Sequence, residues 1–287
     1  MAVPFLLVFR HTGCYIFHVM KIAVYQFAPE FGSVHKNLEK IENALEGLRA
    51  DLVVLPELCT TGYLFASPED VQSVAEPVPD GETVRRFETL CRRTGFRLAA
   101  GIAESAGGSC YNSAVLVGPD GWIGTYRKIH LFWKEKIMFA PGNAGFRVWD
   151  IGPARVGLMV CFDWIFPEAA RSLALQGADI LCHPANLVLP YCPDAMVTRA
   201  IENRVYAVTA NRTGSEGGDG TPKLAFIGKS QALGIRGEIL FRMGETEEGV
   251  QTVEIDPLLA RNKKVLETND LFEDRKPELY APLFPLS

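Results

Sequence analysis

The sequence predicts an α/β fold in which two packed β-sheets are flanked by helices. From residue 20 onward, segments with strand periodicity alternate with segments with helical periodicity. The strands are mostly apolar throughout, which is typical of sheets covered by helices. Many strands also follow one another in consecutive pairs, and this favours two packed sheets over one doubly wound sheet.

The first half of the chain contains two predicted helices among five strands. In the segment 33–49, Leu38, Ile41, Leu45 and Leu48 lie on one helical face, and Ser33 is placed to cap the start. The second helix covers 80–95, where Gly95 is a C-terminal stop signal. The predicted strands are KIAVYQFAP, DLVVLPE, FRLAAGIAE, YNSAVLVG and WIGTYRK, the last two joined by a turn at PDG.

The second half repeats this alternation. The strand RVGLMVC is followed by the helix PEAARSLALQG and by the strand ADILCHPAN. A helix over about 193–203 and the strand VYAVTANR come next, and strands within 224–255 complete the set. These elements predict a second sheet with its own helical cover.

Nothing in the 287 residues marks a domain boundary, so residues 20–287 are predicted to form a single domain. Residues 1–19 are expected to be an N-terminal extension outside the fold, with translation starting at Met20. The apolar run VPFLLVF in this extension is too short to span a bilayer. A signal peptide is the weaker interpretation, because a basic n-region and an A-x-A cleavage site are missing.

Charge and cysteine content narrow the function classes. The formal net charge of -5 comes from nearly balanced acids and bases without a basic stripe, which argues against nucleic-acid and membrane partners and favours a small-molecule substrate. The seven cysteines form no CxxC pair and are odd in number, which argues against a disulfide framework and a zinc site. We therefore expect a cytoplasmic protein with reduced thiols, no metal and no cofactor.

Cys161 ends the apolar strand RVGLMVC, and a cysteine in such a place is most often an inert core residue. Its position raises a second interpretation. The carboxyl end of a strand is where α/β folds bind ligands, and the helix start at Pro167 would stabilise a thiolate. A papain-like Cys–His pair would need His130 or His183, neither of which carries a local signature.

Two further strand ends carry charged residues. Glu57 follows LVVLP, and Lys128 follows WIGTYR. Either alone is most simply the exit of the chain to solvent. Together with Cys161, however, they provide a carboxylate, an ammonium and a thiol at the ends of three strands, which are the groups that a thiol nucleophile needs for catalysis.

The stretches LPELCTTGY, YRKIHLF and CFDWIFPEAAR resemble, in the same order, the three catalytic stretches of the nitrilase superfamily of carbon-nitrogen hydrolases. The resemblance runs from about Met20 through ENRVYAVTANR to the tail. It is closest to a microbial branch that contains amidases and aliphatic nitrilases. It implies a four-layer α-β-β-α sandwich that pairs into a homodimer or higher homo-oligomer, with the tail from residue 269 across a partner.

The resemblance also implies the role of each residue. Glu57 is the general base, Lys128 stabilises the tetrahedral intermediate, and Cys161 is the nucleophile that forms a thioester. The second glutamate of the family best matches Glu135, although a solvated loop charge is an alternative interpretation. Four residues are expected to bind the substrate. Tyr63, Trp164 and Asn186 fall where the family lines its pocket, with ordinary packing as the alternative, and the backbone N–H of Phe162 is a second donor to the oxyanion.

The expected function is hydrolysis of a small amide to the carboxylic acid and ammonia. An aromatic lining by Phe132, Trp133 and Trp164 predicts a modest, partly apolar acyl group. Three alternatives remain open: an aliphatic nitrilase, a glutaminase that feeds ammonia to a partner synthetase, and a non-catalytic scaffold on the same fold.

Overall fold

A computed structural model describes residues 19–218 and 221–280. Within these residues the chain forms two six-stranded sheets that pack face to face, with helices on both outer surfaces. This arrangement confirms the predicted four layers. The main core lies between the two sheets and a second apolar cluster lies under the helices of the first sheet.

The strands of the first half are β1 (Met20–Gln26), β2 (Leu52–Val54), β3 (Arg97–Ala106), β4 (Ser109–Gly118) and β5 (Gly121–Arg127). Those of the second half are β6 (Val148–Asp150), β7 (Arg155–Leu158), β8 (Ile180–Pro184), β9 (Tyr206–Ala210), β10 (Ser215–Gly218), β11 (Thr221–Ala225), β12 (Gln231–Leu233), β13 (Ile239–Arg242), β14 (Gly249–Ile255), β15 (Lys264–Leu266) and β16 (Asn269–Asp270). The helices are α1 (Val34–Leu45), α2 (Pro68–Val74), α3 (Glu82–Thr94), α4 (Glu135–Met138), α5 (Pro167–Leu175) and α6 (Cys192–Asn203). Short 3-10 turns cover Cys161–Ile165, Pro257–Arg261 and Pro277–Leu279.

Strand direction brings the ends of several strands to one edge of the sandwich. The first sheet has the order β14-β1-β2-β3-β4-β5 and the second has the order β13-β12-β9-β8-β7-β6. β1, β2 and β3 are parallel, and two antiparallel steps through β4 make β5 parallel to β3. In the second sheet β7, β8 and β9 are parallel. Residues that follow β2, β5 and β7 therefore lie at carboxyl ends of strands, as predicted.

The helix predictions hold, with corrections at the start and end of α1. Leu38, Ile41 and Leu45 are buried on one face of α1, but the helix ends at Leu45, so Leu48 follows it. Ser33 precedes the helix without capping it, because its hydroxyl donates to Glu30 Oε1 instead. Gly95 adopts a φ of 86° after α3, which is the left-handed stop that the sequence predicts.

Among the features that were not predicted are α2, the β10–β11 hairpin and the pairing of β14. α2 begins at a capping box in which Ser67 and Asp70 satisfy each other's backbone N–H groups. The strands β10 and β11 form a hairpin beside the sandwich. β14 returns to the first sheet and pairs antiparallel with β1, so the last long strand lies beside the first.

Residues 1–18 lie outside the described residues, and so does most of the predicted extension. Across 19–218 and 221–280, no helix is long and apolar enough to cross a membrane. The six cysteines of these ranges are all free thiols. In the tail from residue 269, Phe272 packs on its own chain, where Arg171 and Lys263 lie over its ring.

Candidate active site

Glu57, Lys128 and Glu135 form a buried charged cluster at the carboxyl ends of β2 and β5. The Lys128 ammonium lies 2.7 Å from Glu57 Oε1 and 2.8 Å from the Glu135 carboxylate. All three residues are at most 4% exposed. The alternative interpretation of Glu135 as a solvated loop charge is therefore wrong.

The turn that carries Glu57 depends on the neighbouring strand β3. Cys59 N donates to Gly101 O at 3.0 Å, and Gly101 N donates to Pro56 O at 3.1 Å. A Cβ on Gly101 would overlap the Cα of Glu57. A glycine is therefore required at this point of β3 so that the Glu57 backbone can approach.

The electrostatics keep Lys128 charged. Burial lowers the pKa of Lys128, but the carboxylates of Glu135 and Glu57 outweigh burial and raise it above its usual value. Burial also raises the pKa of Glu135, and the adjacent Glu57 carboxylate adds to the rise against the opposing effect of Lys128. A charged ammonium thus contacts two buried carboxyl groups.

Cys161 opens the 3-10 turn after β7 with a φ of 42°, a strained left-handed conformation for a non-glycine residue. Such outliers cluster at functional sites. Burial raises the pKa of the Cys161 thiol well above its usual value, Glu57 raises it further, and Lys128 opposes the rise. Burial therefore outweighs the thiolate stabilisation expected from the helix start, so the thiol needs a base.

A papain-like Cys–His pair is excluded. His183 is fully buried, and its Nε2 lies 2.9 Å from the Cys161 carbonyl oxygen rather than bonding the thiol. Because a carbonyl only accepts, Nε2 carries the proton, and Nδ1 accepts from the Thr209 hydroxyl at 3.0 Å. Burial lowers the pKa of His183, which favours this neutral form. The other candidate, His130, bonds Asp163 through Nδ1, and no hydrogen bond joins its ring to Cys161 among the described residues.

The four predicted substrate-binding residues differ from one another in their surroundings. Tyr63 joins the charged cluster, since its hydroxyl donates to Glu135 Oε1 at 2.8 Å. The backbone N–H of Asn186 opposes the rise in the pKa of the Cys161 thiol, and the buried side-chain amide of Asn186 has no partner among the described residues. Trp164 is 7% exposed, and the Phe162 ring lies 5.0 Å from that of Phe132.

Trp133 does not belong to a buried aromatic lining. It is 43% exposed, and the Lys134 ammonium lies over its ring at 5.0 Å. Of the predicted aromatic lining, Phe132 and Trp164 therefore remain, and Phe162 packs against Phe132.

Sequence reasoning missed Asn112, a fully buried residue of β4. Its Nδ2 donates to Glu57 Oε1 at 2.7 Å, the same oxygen that accepts from Lys128. The second oxygen, Glu57 Oε2, has no hydrogen-bond partner among the described residues. A lone amide inside the apolar run YNSAVLV is the signal that could have identified this residue.

Sequence reasoning also missed an ion pair behind Tyr63. Arg212 and Glu216 are both buried and bond each other. Glu216 Oε2 accepts the backbone N–H groups of Tyr63 and Leu64 at 2.9 and 2.7 Å. The pair therefore fixes the loop from which Tyr63 reaches Glu135.

The chain is similar to known carbon-nitrogen hydrolases in sequence and in structure. The carbon-nitrogen hydrolase family model matches residues 21–264. A protein named nitrilase from Pyrococcus abyssi is 50% identical over 265 residues, covering 91% of this chain and 99% of its own. The crystal structure of a carbon-nitrogen hydrolase from Helicobacter pylori G27 has a TM-score of 0.83 at 29% identity, covering 93% of this chain and 98% of its own.

A second solved structure is a variant of the amidase from Nesterenkonia sp. AN1. It has a TM-score of 0.75 at 26% identity and covers 92% of this chain and 96% of its own. It shows the acetamide moiety of fluoroacetamide covalently added at the active-site cysteine. The family model matches residues 21–264, and the matches of sequence and fold each cover more than 90% of the chain, so the protein belongs to the carbon-nitrogen hydrolases of the nitrilase superfamily.

Proposed function

We propose that this carbon-nitrogen hydrolase cleaves a small amide to the carboxylic acid and ammonia, with Cys161 as nucleophile. One observation carries the proposal most directly. A buried protonated thiol feels the charges of Glu57, Lys128 and Glu135, and the only unpaired oxygen of Glu57 among the described contacts is Oε2. The amidase from Nesterenkonia, with its adduct at the active-site cysteine, supports the same chemistry.

Acylation begins when Glu57 Oε2 accepts the thiol proton of Cys161. The sulfur attacks the amide carbon, and the carbonyl electron pair moves to the oxygen. Lys128 supplies a fixed positive charge for this oxyanion, and the backbone N–H of Phe162 is the second proposed donor. As the tetrahedral intermediate collapses, the C–N bond breaks, Glu57 returns the proton to nitrogen, and ammonia leaves a thioester on Cys161.

Deacylation uses the same groups. Glu57 accepts a proton from water, and the resulting hydroxide attacks the thioester carbon. Lys128 again faces the oxyanion. Collapse breaks the C–S bond, the sulfur takes the proton back, and the acid leaves. One amide and one water thus become one acid and one ammonia.

Glu135 acts on Lys128 rather than on the substrate in this scheme. It lies 2.8 Å from the Lys128 ammonium and also accepts from Phe132 N at 3.1 Å and from the Tyr63 hydroxyl at 2.8 Å. These bonds fix the Glu135 carboxylate that contacts the ammonium. Glu135 is therefore proposed to orient Lys128 and to keep it charged.

The surroundings favour an uncharged substrate with a modest, partly apolar acyl group. The charged side chains of this region are engaged with one another, as the Lys128 cluster and the Arg212–Glu216 pair show. Phe132, Phe162 and Trp164 provide apolar surface. The unpaired amide of Asn186 is proposed to bind a polar atom of the acyl group.

Nitrile hydrolysis is the second candidate, favoured by the 50% identity with the Pyrococcus abyssi nitrilase. Both reactions begin with the same thiol attack and diverge when the intermediate collapses. A non-catalytic scaffold is disfavoured, because the thiol, the ammonium and the two carboxylates are all present and buried. We further propose a cytoplasmic homodimer, which size-exclusion chromatography with light scattering would test.

The deciding experiment incubates the purified protein with small neutral amides, carbamoyl compounds and nitriles. Ammonia release gives the turnover, and intact mass gives the acyl adduct on Cys161. Cys161→Ala should lose both signals. Full activity of Cys161→Ala would refute the mechanism, and turnover of nitriles alone would replace the amidase with a nitrilase.

A further inference from the structure

Asp163 is a fully buried carboxylate two residues after Cys161. Its Oδ2 accepts the backbone N–H of Val160 at 2.8 Å and the hydroxyl of Tyr126 at 2.8 Å. Its Oδ1 lies 2.7 Å from His130 Nδ1. Because a carboxylate accepts, His130 must donate from Nδ1. Three donors thus surround one buried carboxylate.

The partners of Asp163 flank two proposed catalytic groups. Tyr126 and His130 lie two residues before and two residues after Lys128, and Val160 directly precedes Cys161. The Tyr126 hydroxyl also accepts from the backbone N–H of Ile129 at 3.2 Å. The chain on both sides of Lys128 is therefore bonded to the turn that carries Cys161.

This contact joins the two sheets at the site. Lys128 follows β5 of the first sheet, whereas Cys161 and Asp163 follow β7 of the second. The His130 ring is stacked on Phe166 at 3.7 Å between centroids, and the Tyr126 ring is stacked on Phe146 at 5.2 Å. Both donors therefore have a fixed orientation toward the carboxylate.

We propose that Asp163 is a positioning residue, which acts through Tyr126 and His130 to hold the Lys128 ammonium in register with the Cys161 thiol. The inference rests on the proposed function, since it assumes that Lys128 and Cys161 act on the same reacting carbon. Its physical basis is that small displacements of an oriented catalytic group are costly. A misplacement of about 1 Å can reduce a rate by about a hundredfold.

His130 offers a matched pair of variants that separates the hydrogen bond from packing. His130→Asn places an amide nitrogen near the position of Nδ1, so it keeps a donor to Asp163 but loses the stack on Phe166. His130→Phe keeps the stack but loses the donor. With the best amide of the substrate panel, we expect His130→Asn to keep kcat within about threefold and His130→Phe to lose about tenfold or more, with KM little changed in both.

The opposite order, with His130→Phe active and His130→Asn impaired, would overturn the proposal, because packing alone would then explain the role of His130. Equal losses in both variants would overturn it as well. Tyr126→Phe is the second test if His130→Phe does not fold, which circular dichroism would show. It removes only the hydroxyl that joins Asp163 to Ile129 N, and it should also lower kcat.

A second readout does not depend on amide turnover. The Lys128 charge opposes the rise in the pKa of the Cys161 thiol, so a displaced ammonium should slow alkylation of Cys161 by iodoacetamide at neutral pH. We expect slower alkylation in His130→Phe and not in His130→Asn, and equal rates in both would contradict the positioning role. A wild-type protein that hydrolyses neither amides nor nitriles would refute the proposed function, while the alkylation rates would still test the position of Lys128.

Discussion

Replacing Asn112 with leucine should separate the orientation of Glu57 from the stability of the fold. Asn112 and Glu57 are both fully buried, and the amide nitrogen lies 2.7 Å from Glu57 Oε1. The variant keeps the branched arrangement of four side-chain heavy atoms but removes this donor. Lys128 then holds Glu57 Oε1 alone, and the carboxylate is free to turn Oε2 away from the thiol.

The expected magnitude follows from these contacts. A hydrogen bond to a charged group contributes about 1.5–3 kcal/mol. If that energy serves to hold the base in place, kcat/KM should fall by about 10- to 150-fold, since about 1.4 kcal/mol corresponds to a factor of ten. The free energy of unfolding should change much less. Asn112 Oδ1 is buried and has no partner among the described residues, so its removal offsets about 1–3 kcal/mol of the loss.

The assay measures kcat/KM from ammonia release and the free energy of unfolding from urea titration. Ser113→Ala is the matched control, because Ser113 is the next residue of β4, is fully buried, and donates to the buried carboxylate of Glu104 at 2.6 Å. It should lose stability and keep kcat/KM. Wild-type kcat/KM in Asn112→Leu, or an equal loss in Ser113→Ala, would refute the reasoning.

Three further predictions concern the glycine of β3, the buried histidine and the N-terminus. Gly101→Ala should abolish measurable hydrolysis, because its Cβ overlaps Glu57, and retained kcat/KM would show that the turn can yield. The lowered pKa of His183 predicts that the free energy of unfolding decreases as the pH falls below 6.5, the ordinary pKa of histidine, because the unfolded chain binds the proton first. In urea titrations between pH 7 and pH 5, His183→Gln should show a shallower decrease than the wild type. Identical slopes would exclude this linkage. Deletion of residues 1–19 should leave the thermal midpoint and kcat/KM unchanged, and a fall in either would place the extension within the fold.

The sequence predicted those parts of the fold that leave a periodic signal. The apolar face of α1 and the glycine stop of α3 follow from local spacing, and both are present. The ends of strands were also sufficient to bring Glu57 and Lys128 together, because parallel strands place their carboxyl ends at one edge. Their contact at 2.7 Å agrees with that expectation.

Features that depend on distant pairing were not predicted. The partner of β14 is β1, more than two hundred positions earlier, and nothing local to either strand specifies that pairing. The same limit applies to Asn112 and Asp163, whose roles appear only when their bonded partners are known. The raised pKa of the Cys161 thiol likewise could not be predicted, because it depends on burial by the surrounding layers.

The order of the strands has a consequence for how the enzyme gains activity as it folds. Glu57 and Lys128 follow strands of one sheet and Cys161 follows a strand of the other, so a chain with both sheets formed but apart has its secondary structure without the proposed catalytic centre. After dilution from denaturant, the rate at which turnover recovers would therefore report the docking of the two sheets. The change in circular dichroism would report the formation of the sheets themselves. Because β14 closes the first sheet only after the chain has traversed the second, a cut near residue 150 would deprive the N-terminal fragment of its edge strand.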